Sequence, residues 1–349
     1  MKKPSVLVAL SGGIDSSICA YLLQKAGYDV KGAMLKIWHS DENAFEESAT
    51  YARELCQQLR IPFDVIDVED KFKVCIVDKF IRESHAGITP NPCIECNRDI
   101  KWGVLFDELT KRGVDFLATG HYARLSIEND EVSLRKGLDP SKDQSYVLSV
   151  LPAEQLRRTI LPLGSMLKSE VKSIGREIGL RSIERSESQD LCFMDGMAYE
   201  EFVSGFSQET NIPGDLVDVE GNVIGVHRGL AFYTIGQRKG LGLAAGHPLY
   251  VIRKDIQKNQ VIVGAAESLG RKAFKIGRIN ILGDLSKLNN DLNVKIRYRA
   301  TPVECLLKRL NENMFEIELK SPLRDITPGQ QAVVYAGDRV ILSGRILAD

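Results

Sequence analysis

The chain has 349 residues, 44% of them hydrophobic and 27% charged, with a formal net charge of −1. That length exceeds what one ordinary core serves, so two or three domains are expected in a soluble globular protein, and the near-neutral balance excludes a polycation that binds nucleic acid indiscriminately while leaving room for local basic patches. No stretch approaches the ~20 apolar residues that span a bilayer, the apolar run at residues 6–10 is too short for a signal-peptide core, and seven cysteines do not read as a full disulfide framework, so the expected setting is cytoplasmic with reduced thiols and no membrane.

Residues 6–10 (Val-Leu-Val-Ala-Leu) form an apolar run that suits a strand buried on both faces. A Ser-Gly-Gly-Ile-Asp-Ser-Ser turn follows at 11–17, and Ser16 or Ser17 can cap the helix that then runs to Gly27. A second strand fits 29–35. Apolar positions Phe45, Ala49, Ala52, Leu55 and Leu59 recur at helical spacing, so 42–60 reads as an amphipathic helix. Pro62 breaks it before a third strand at 63–68. A helix over 71–83, a loop carrying Cys93 and Cys96, a helix over 99–111 and a strand over 116–119 complete the alternation. Strands alternating with helices predict a doubly wound parallel sheet with its ligand site at the carboxyl ends of the strands. The glycine-rich turn, the cysteine loop and Gly120-His121 all fall at that edge. Past residue 200 the pattern changes to short alternating strands separated by turn residues. The expected organisation is a catalytic α/β domain over 1–200, a small central β-containing domain over 201–268 and a C-terminal β-barrel over 269–349.

A glycine-rich turn between a buried strand and a helix aims backbone N–H groups at anions, with the helix dipole assisting. Gly12 and Gly13 let a phosphate approach the main chain, and Ser11, Ser16 and Ser17 add donors. The turn lacks the lysine of a Walker A motif. Asp15 would repel a bare phosphate unless Mg²⁺ lies between them, so ATP with Mg²⁺ is the expected ligand. Local positive charge lies at Arg157-Arg158, the run from Lys168 to Arg181, Arg238-Lys239, Arg253-Lys254, and Arg271-Lys272 through Lys275 and Arg278, runs that by themselves read as solvated faces and that face RNA only on the family resemblance given below. Trp38 and Trp102 read as packing residues, and four of the cysteines as core.

The turn at 11–17 resembles the signature of the ATP pyrophosphatase superfamily, whose members adenylate a substrate oxygen and release pyrophosphate. Further along, Asn91-Pro92-Cys93-Ile94-Glu95-Cys96-Asn97, Thr119-Gly120-His121-Tyr122-Ala123-Arg124, Lys142-Asp143-Gln144-Ser145-Tyr146 and Gln189-Asp190-Leu191-Cys192-Phe193 are similar to the tRNA-specific 2-thiouridylases. So are Gly236-Gln237-Arg238-Lys239-Gly240-Leu241-Gly242, Arg297-Tyr298-Arg299 and Pro328-Gly329-Gln330. These matches run in order along nearly the whole chain. The resemblance implies conversion of a wobble uridine of tRNA to 2-thiouridine at the cost of ATP, with a sulfur donor such as a cysteine desulfurase or a relay protein.

Position by position, the resemblance assigns Ala9, Leu10, Ser11, Gly12, Gly13, Ile14, Asp15, Ser16, Leu35 and Gly120 to ATP. It makes Cys192 the persulfide-bearing cysteine and Cys96 its partner. Asn91, Pro92 and Cys93 would touch the target base, and His121, Lys142, Asp143, Gln144, Arg297, Tyr298, Arg299 and Gln330 would touch tRNA. Cys93 departs from the family pattern, where many members carry Asp. Several readings of it stand open: a spare resolving thiol, one of three ligands (Cys93, Cys96, Cys192) of a [4Fe–4S] cluster, part of a structural zinc site that lacks an evident fourth ligand, or a neutral substitution. Two rival classes are a superfamily synthetase without the cysteine trio and a non-enzymatic ATP-binding module.

Overall fold

The computed structural model describes residues 3–40, 44–129, 131–184, 191–206, 212–244, 246–287 and 291–348. Strands β1 (Ser5–Ala9), β2 (Asp29–Lys36), β3 (Phe63–Asp67) and β4 (Phe116–Ala118) alternate with helices, of which α1 (Ile14–Lys25) and α2 (Ala44–Leu59) are the first two. A hairpin of β5 (Ala123–Glu128) and β6 (Glu131–Lys136) precedes the short strand β7 (Thr159–Ile160). The sheet order is β3-β2-β1-β4-β7, every pair parallel. β1 sits at its centre with Val6, Leu7 and Val8 fully buried, as a strand covered by helices on both faces requires. The doubly wound sheet expected from the sequence is therefore present. The first residues of the helix expected over 42–60 and the Gln189-Asp190 pair lie outside the described residues.

The second layer of organisation is all β. Strands β8 (Gly214–Val217), β9 (Val223–His227), β10 (Tyr250–Asp255) and β11 (Gln260–Gly264) form a four-stranded sheet in the order β10-β11-β8-β9. Strands β12 (Arg271–Ile281), β13 (Leu292–Lys295), β14 (Val303–Asn311), β15 (Met314–Leu323), β16 (Gln331–Ala336) and β17 (Arg339–Ile346) follow. Their order β12-β15-β14-β13-β16-β17 closes through a β12–β17 pairing into a six-stranded barrel, which leaves no free sheet edge. β13 ends at Lys295, and the Arg297-Tyr298-Arg299 stretch lies in the turn beyond it.

The barrel is tied to the first domain. The β5–β6 hairpin joins its wall at Arg135 opposite Arg339. Leu282, Val333, Tyr335 and Val340 of the barrel share one core with Trp102, Tyr146 and Leu117. The Asn280 amide donates to the carbonyls of Ser149 and Leu151 at 2.7 and 2.9 Å, and the Arg345 guanidinium pairs with Glu83 at 2.9 and 2.6 Å. A shared apolar core with satisfied polar bonds around it fixes the barrel against the catalytic half.

Candidate active site

β1 ends at Ala9 and the chain turns through the glycines into α1. Gly12 has φ +70°, and a Cβ there would collide with the Ser48 carbonyl on α2. Only glycine lets α2 close over this turn. The expected capping role of Ser16 or Ser17 is not observed: α1 begins at a Gly13 N-cap without a side-chain cap. Both hydroxyls instead donate back to the Gly13 carbonyl, at 3.1 and 3.0 Å. They sit inside the first turn, where a hydroxyl reaches the carbonyl three or four residues earlier. Ser16 Oγ in turn accepts the Ser11 N–H at 3.1 Å. Gly120, just past the end of β4, lies against this turn, where an added Cβ would stand 2.7 Å from Asp15 C and Ser16 N.

Asp15 is not the lone negative charge that the sequence suggests. Lys168 Nζ donates to its two carboxylate oxygens at 2.6 and 2.8 Å, and the Tyr122 hydroxyl donates to it at 2.8 Å. Lys168 is 7% exposed. It was expected within a basic run facing RNA, yet its ammonium lies inside, beside the phosphate-type turn. The Lys254 ammonium is likewise turned inward, donating to the carbonyls of Leu230 and Tyr233 at 3.2 and 2.5 Å, and desolvation lowers its pKa to about 8. Charge runs in a sequence do not distinguish a lysine that meets solvent from one that neutralises a buried group.

The cysteine segment is helical, not a loop. Asn91 is the N-cap, its Oδ1 accepting the Ile94 N–H at 3.4 Å, and Pro92 opens the helix Pro92–Glu95. Asn followed by Pro is a helix-start signal, so this much was readable in advance. The helix runs on through a wider turn at Cys96–Trp102 into Gly103–Lys111. The three-residue spacing puts Cys93 and Cys96 on one side of it. Cys93 and Cys192 are exposed and Cys96 is buried; all seven thiols are free. Glu95, between the two cysteines, pairs with Lys79.

Cys192 begins the short turn Cys192–Met194. Two anchors hold it. Phe193 packs edge-on to Phe72 and Phe80, with ring centres 6.0 and 5.6 Å away. Asp195 takes a left-handed conformation, φ +47°. Its carboxylate accepts the Ser40 N–H and Ser40 hydroxyl, both at 2.8 Å, and lies 2.9 Å from His39 Nδ1. Cys192 is thus fastened to the chain leaving β2.

The surroundings of Cys93, Cys96 and Cys192 shift all three thiols in the same direction. Loss of hydration raises all three: Cys93 above the usual thiol range, Cys96 to about 11 and Cys192 to about 12. Cys96 and Cys93 each push Cys192 further up, and Cys93 pushes Cys96 up. The Lys101 charge opposes this at all three. His121, enclosed beside Trp102 with its Nδ1 2.8 Å from Thr119 Oγ1, is held down to about 3 by desolvation and then by Lys101, so it is neutral at ordinary pH. Among the described residues, no three Cys, His, Asp or Glu side chains converge closely enough to hold a metal ion. The thiols therefore do not form the ligand set that a [4Fe–4S] cluster or zinc site needs, and no step is routed through one.

The residues assigned to tRNA divide into two groups. Tyr298 and Arg299 are exposed in the turn after β13. Asp143 is buried and accepts the N–H of Gly137 and of Ser145, both at 3.0 Å, and the Gln144 side chain accepts the Tyr122 N–H at 2.9 Å. Arg297 donates to Thr327 Oγ1 at 2.6 Å. Gln330 donates to the carbonyls of Thr89 and Pro90 at 2.9 and 3.2 Å and accepts from the Asn91 amide at 3.4 Å. A barrel loop therefore grips the segment that caps the cysteine helix. Trp102 is fully buried and Trp38 packs on Phe202 and Phe206, both as expected of packing residues. Reasoning from sequence missed Lys168, Tyr122, Asp195 and His39 as site residues, since each meets its partner across a long stretch of chain, and it missed Lys101, whose place depends on the irregular helix turn.

Three family models match the chain in succession: a tRNA methyl transferase HUP domain over residues 4–196, a tRNA methyl transferase PRC-barrel domain over 200–265 and an aminomethyltransferase beta-barrel domain over 271–346. The tRNA-specific 2-thiouridylase MnmA of Lachnoclostridium phytofermentans is 37% identical over 99% of this chain and all of its own length. Those of Herpetosiphon aurantiacus and Chloroflexus aurantiacus are 40% and 41% identical, each over 98% of both chains. The chain belongs to the tRNA-specific 2-thiouridylase family. The family resemblance and the order of domains read from the motifs agree with these matches. No described helix is long and apolar enough to cross a membrane.

Proposed function

We propose that the chain catalyses ATP-dependent 2-thiolation of the wobble uridine of tRNA, giving 2-thiouridine, AMP and pyrophosphate. The observation that carries this reading is the pairing of the glycine turn that opens α1 with two free cysteines at the same end of the sheet, Cys96 on the helix capped by Asn91 and Cys192 on the turn clasped to the chain leaving β2. The uracil O2 attacks the α-phosphorus of ATP and pyrophosphate leaves. Gly12, Gly13 and the N-terminus of α1 receive the phosphates. Lys168 neutralises the Asp15 carboxylate beside the incoming phosphates, and Mg²⁺ would enter with ATP. Adenylation turns O2 into part of a good leaving group.

A sulfur donor first places a persulfide on Cys192. Its terminal sulfur anion attacks C2 and AMP departs with the C–O bonding pair. The Cys96 thiolate then attacks the Cys192 sulfur, forming a Cys96–Cys192 disulfide and releasing the thiocarbonyl. An external thiol reductant restores both cysteines. Desolvation raises both thiols and favours their protonated form, and a persulfide is the more acidic nucleophile. Asn91, Pro92 and Cys93 are proposed to flank the base, with Tyr298 and Arg299 on the exposed RNA side. Unpaired anticodon bases leave their stack at small cost. Methyl transfer, named in the family-model descriptions, leaves Cys96 and Cys192 without a role.

The test is incubation of the reduced chain with ATP, unmodified tRNA and a persulfide donor, followed by nucleoside mass spectrometry and pyrophosphate assay. Stoichiometric 2-thiouridine and pyrophosphate are expected. Pyrophosphate without thiouridine, or a methylated nucleoside, overturns the reading.

A further inference from the structure

The wider turn at Cys96–Trp102 has a consequence for Lys101. In this segment the backbone closes five residues apart, as in the Gly103 N–H bond to the Arg98 carbonyl. An ordinary α-helix would carry residue 101 to the far side of residue 96, about 140° round the axis at 3.6 residues per turn. Closure at five residues instead brings position 101 back over position 96, one turn along. The helix therefore spends its irregular stretch on setting Lys101 beside Cys96, and such stretches cluster at functional sites.

Lys101 is half-buried. Among the described residues, no hydrogen bond or ion pair engages its ammonium, although Asp99 lies two residues away and is taken by Arg98 at 2.7 and 2.8 Å. A half-buried cation without an acid is costly unless an anion visits it. The groups in its electrostatic reach are Cys93, Cys96, Cys192 and His121. Among the described residues, Asp99 is held by Arg98, Glu95 by Lys79 and Asp195 by Ser40 and His39, and His121 is neutral, which leaves a sulfur anion as the partner for this charge.

We propose that Lys101 is the positive charge that holds the sulfur anion of the thiol cleft, first the anion carried on Cys192 and then the thiolate of Cys96. This deepens the proposed function and rests on it for the reaction, though not for the charge. Lys101 forms no covalent bond and exchanges no electrons; it lowers the energy of an anion made by proton loss to solvent.

Two measurements test it, on the full reduced chain. The first needs no tRNA: the rate at which iodoacetamide alkylates Cys192 at pH 7.5, mapped by mass spectrometry. Lys101→Met, which keeps the stem and removes the charge, is expected to slow it severalfold, and Lys101→Arg to restore most of the rate. The second is single-turnover thiolation, where Lys101→Met is expected to slow sulfur transfer about tenfold or more while tRNA-dependent pyrophosphate release stays within about twofold. Lys101→Gln serves where the Met variant fails to fold, judged by thermal unfolding. Equal alkylation rates in the charged and uncharged variants overturn the proposal. So does equal loss of pyrophosphate release and thiolation, which would place Lys101 in nucleotide or tRNA binding. Slower alkylation with no thiouridine from the unaltered chain would overturn the proposed function and leave the charge assignment standing.

Discussion

The nucleotide turn and the thiol cleft lie at the same end of one sheet and are built on opposite plans. At the turn, Asp15, Lys168 and Tyr122 are bonded to one another, and the hydroxyls of Ser16 and Ser17 to Gly13. The polar side chains of the turn are thus already fixed in the unliganded chain. At the cleft, two thiols are exposed, a third is buried, and the nearby Lys101 charge has no acid to pair with among the described residues. A site that binds the same ligand every cycle gains from being finished beforehand. A site whose sulfur is loaded, transferred and oxidised in turn must tolerate several charge states, and unpaired groups are the means.

The largest expected effect tests the cleft alone. Cys192→Ser and Cys96→Ser are each expected to cut thiolation at least about a thousandfold, the scale of losing a nucleophile, with tRNA-dependent pyrophosphate release preserved. Loss of pyrophosphate release in both would show that turn and cleft are one unit and break the comparison. Next comes the turn. Lys168→Met leaves the Asp15 carboxylate uncompensated beside incoming phosphates, so pyrophosphate release is expected to fall about a hundredfold. Stability should fall by about 2–3 kcal/mol, the lower range for breaking a buried pair because Asp15 is only partly covered, measured by urea unfolding. Asp15→Asn with Lys168→Met should recover most of that stability and none of the activity, a coupling that a double-mutant cycle reads directly.

A smaller effect is expected where the two regions are joined. Asp195→Ala removes the acceptor of Ser40 and the partner of His39 and leaves the Cys192 turn held by the packing of Phe193 and Met194. Thiolation should drop about tenfold, as for a misplaced reacting group, with pyrophosphate release unchanged. If both fall together, Asp195 supports the nucleotide side through β2 and not the thiol turn.

The fold was legible because its signals are local. The apolar run at β1, the helical spacing of α2 and the alternation of β8 and β9 each lie within a few residues. The site was legible to the extent that motifs carry it, which covers the turn at 11–17 and the cysteines. The cysteine helix was misread as a loop although Asn91-Pro92 is a helix start, because attention to ligand spacing displaced attention to capping. Lys168 and Asp195 were beyond reach for a different reason. Lys168 meets Asp15 across 153 positions, and Asp195 meets Ser40 across 155. Long-range pairs of this kind are created by the crossing of strands and helices, and nothing in either local sequence marks them. Gln330 and Asp143 show the converse: positions matched to RNA contact whose side chains have internal bonds as well.

A further expected effect concerns pH and falls on His121, at the boundary between turn and cleft. Enclosure and the Lys101 charge hold its imidazole down to about 3, against an ordinary value near 6.5. Between those values the unfolded chain binds a proton that the folded chain does not, so stability rises with pH across that window. The folded state therefore loses stability as pH falls below about 6.5 and goes on losing it toward 3, while nothing changes above 7. Replacing His121 with Gln, which keeps a hydrogen-bonding group near Thr119, should flatten that acid limb in urea unfolding at pH 4 to 7 and leave stability at pH 8 within about 1 kcal/mol. Adding Lys101→Met should flatten the limb of the native chain by a smaller amount, since Lys101 contributes less than desolvation. An acid limb unchanged by His121→Gln would mean that the ring is open to water, and the cleft beside it would then be wetter and its thiols more acidic than their surroundings indicate.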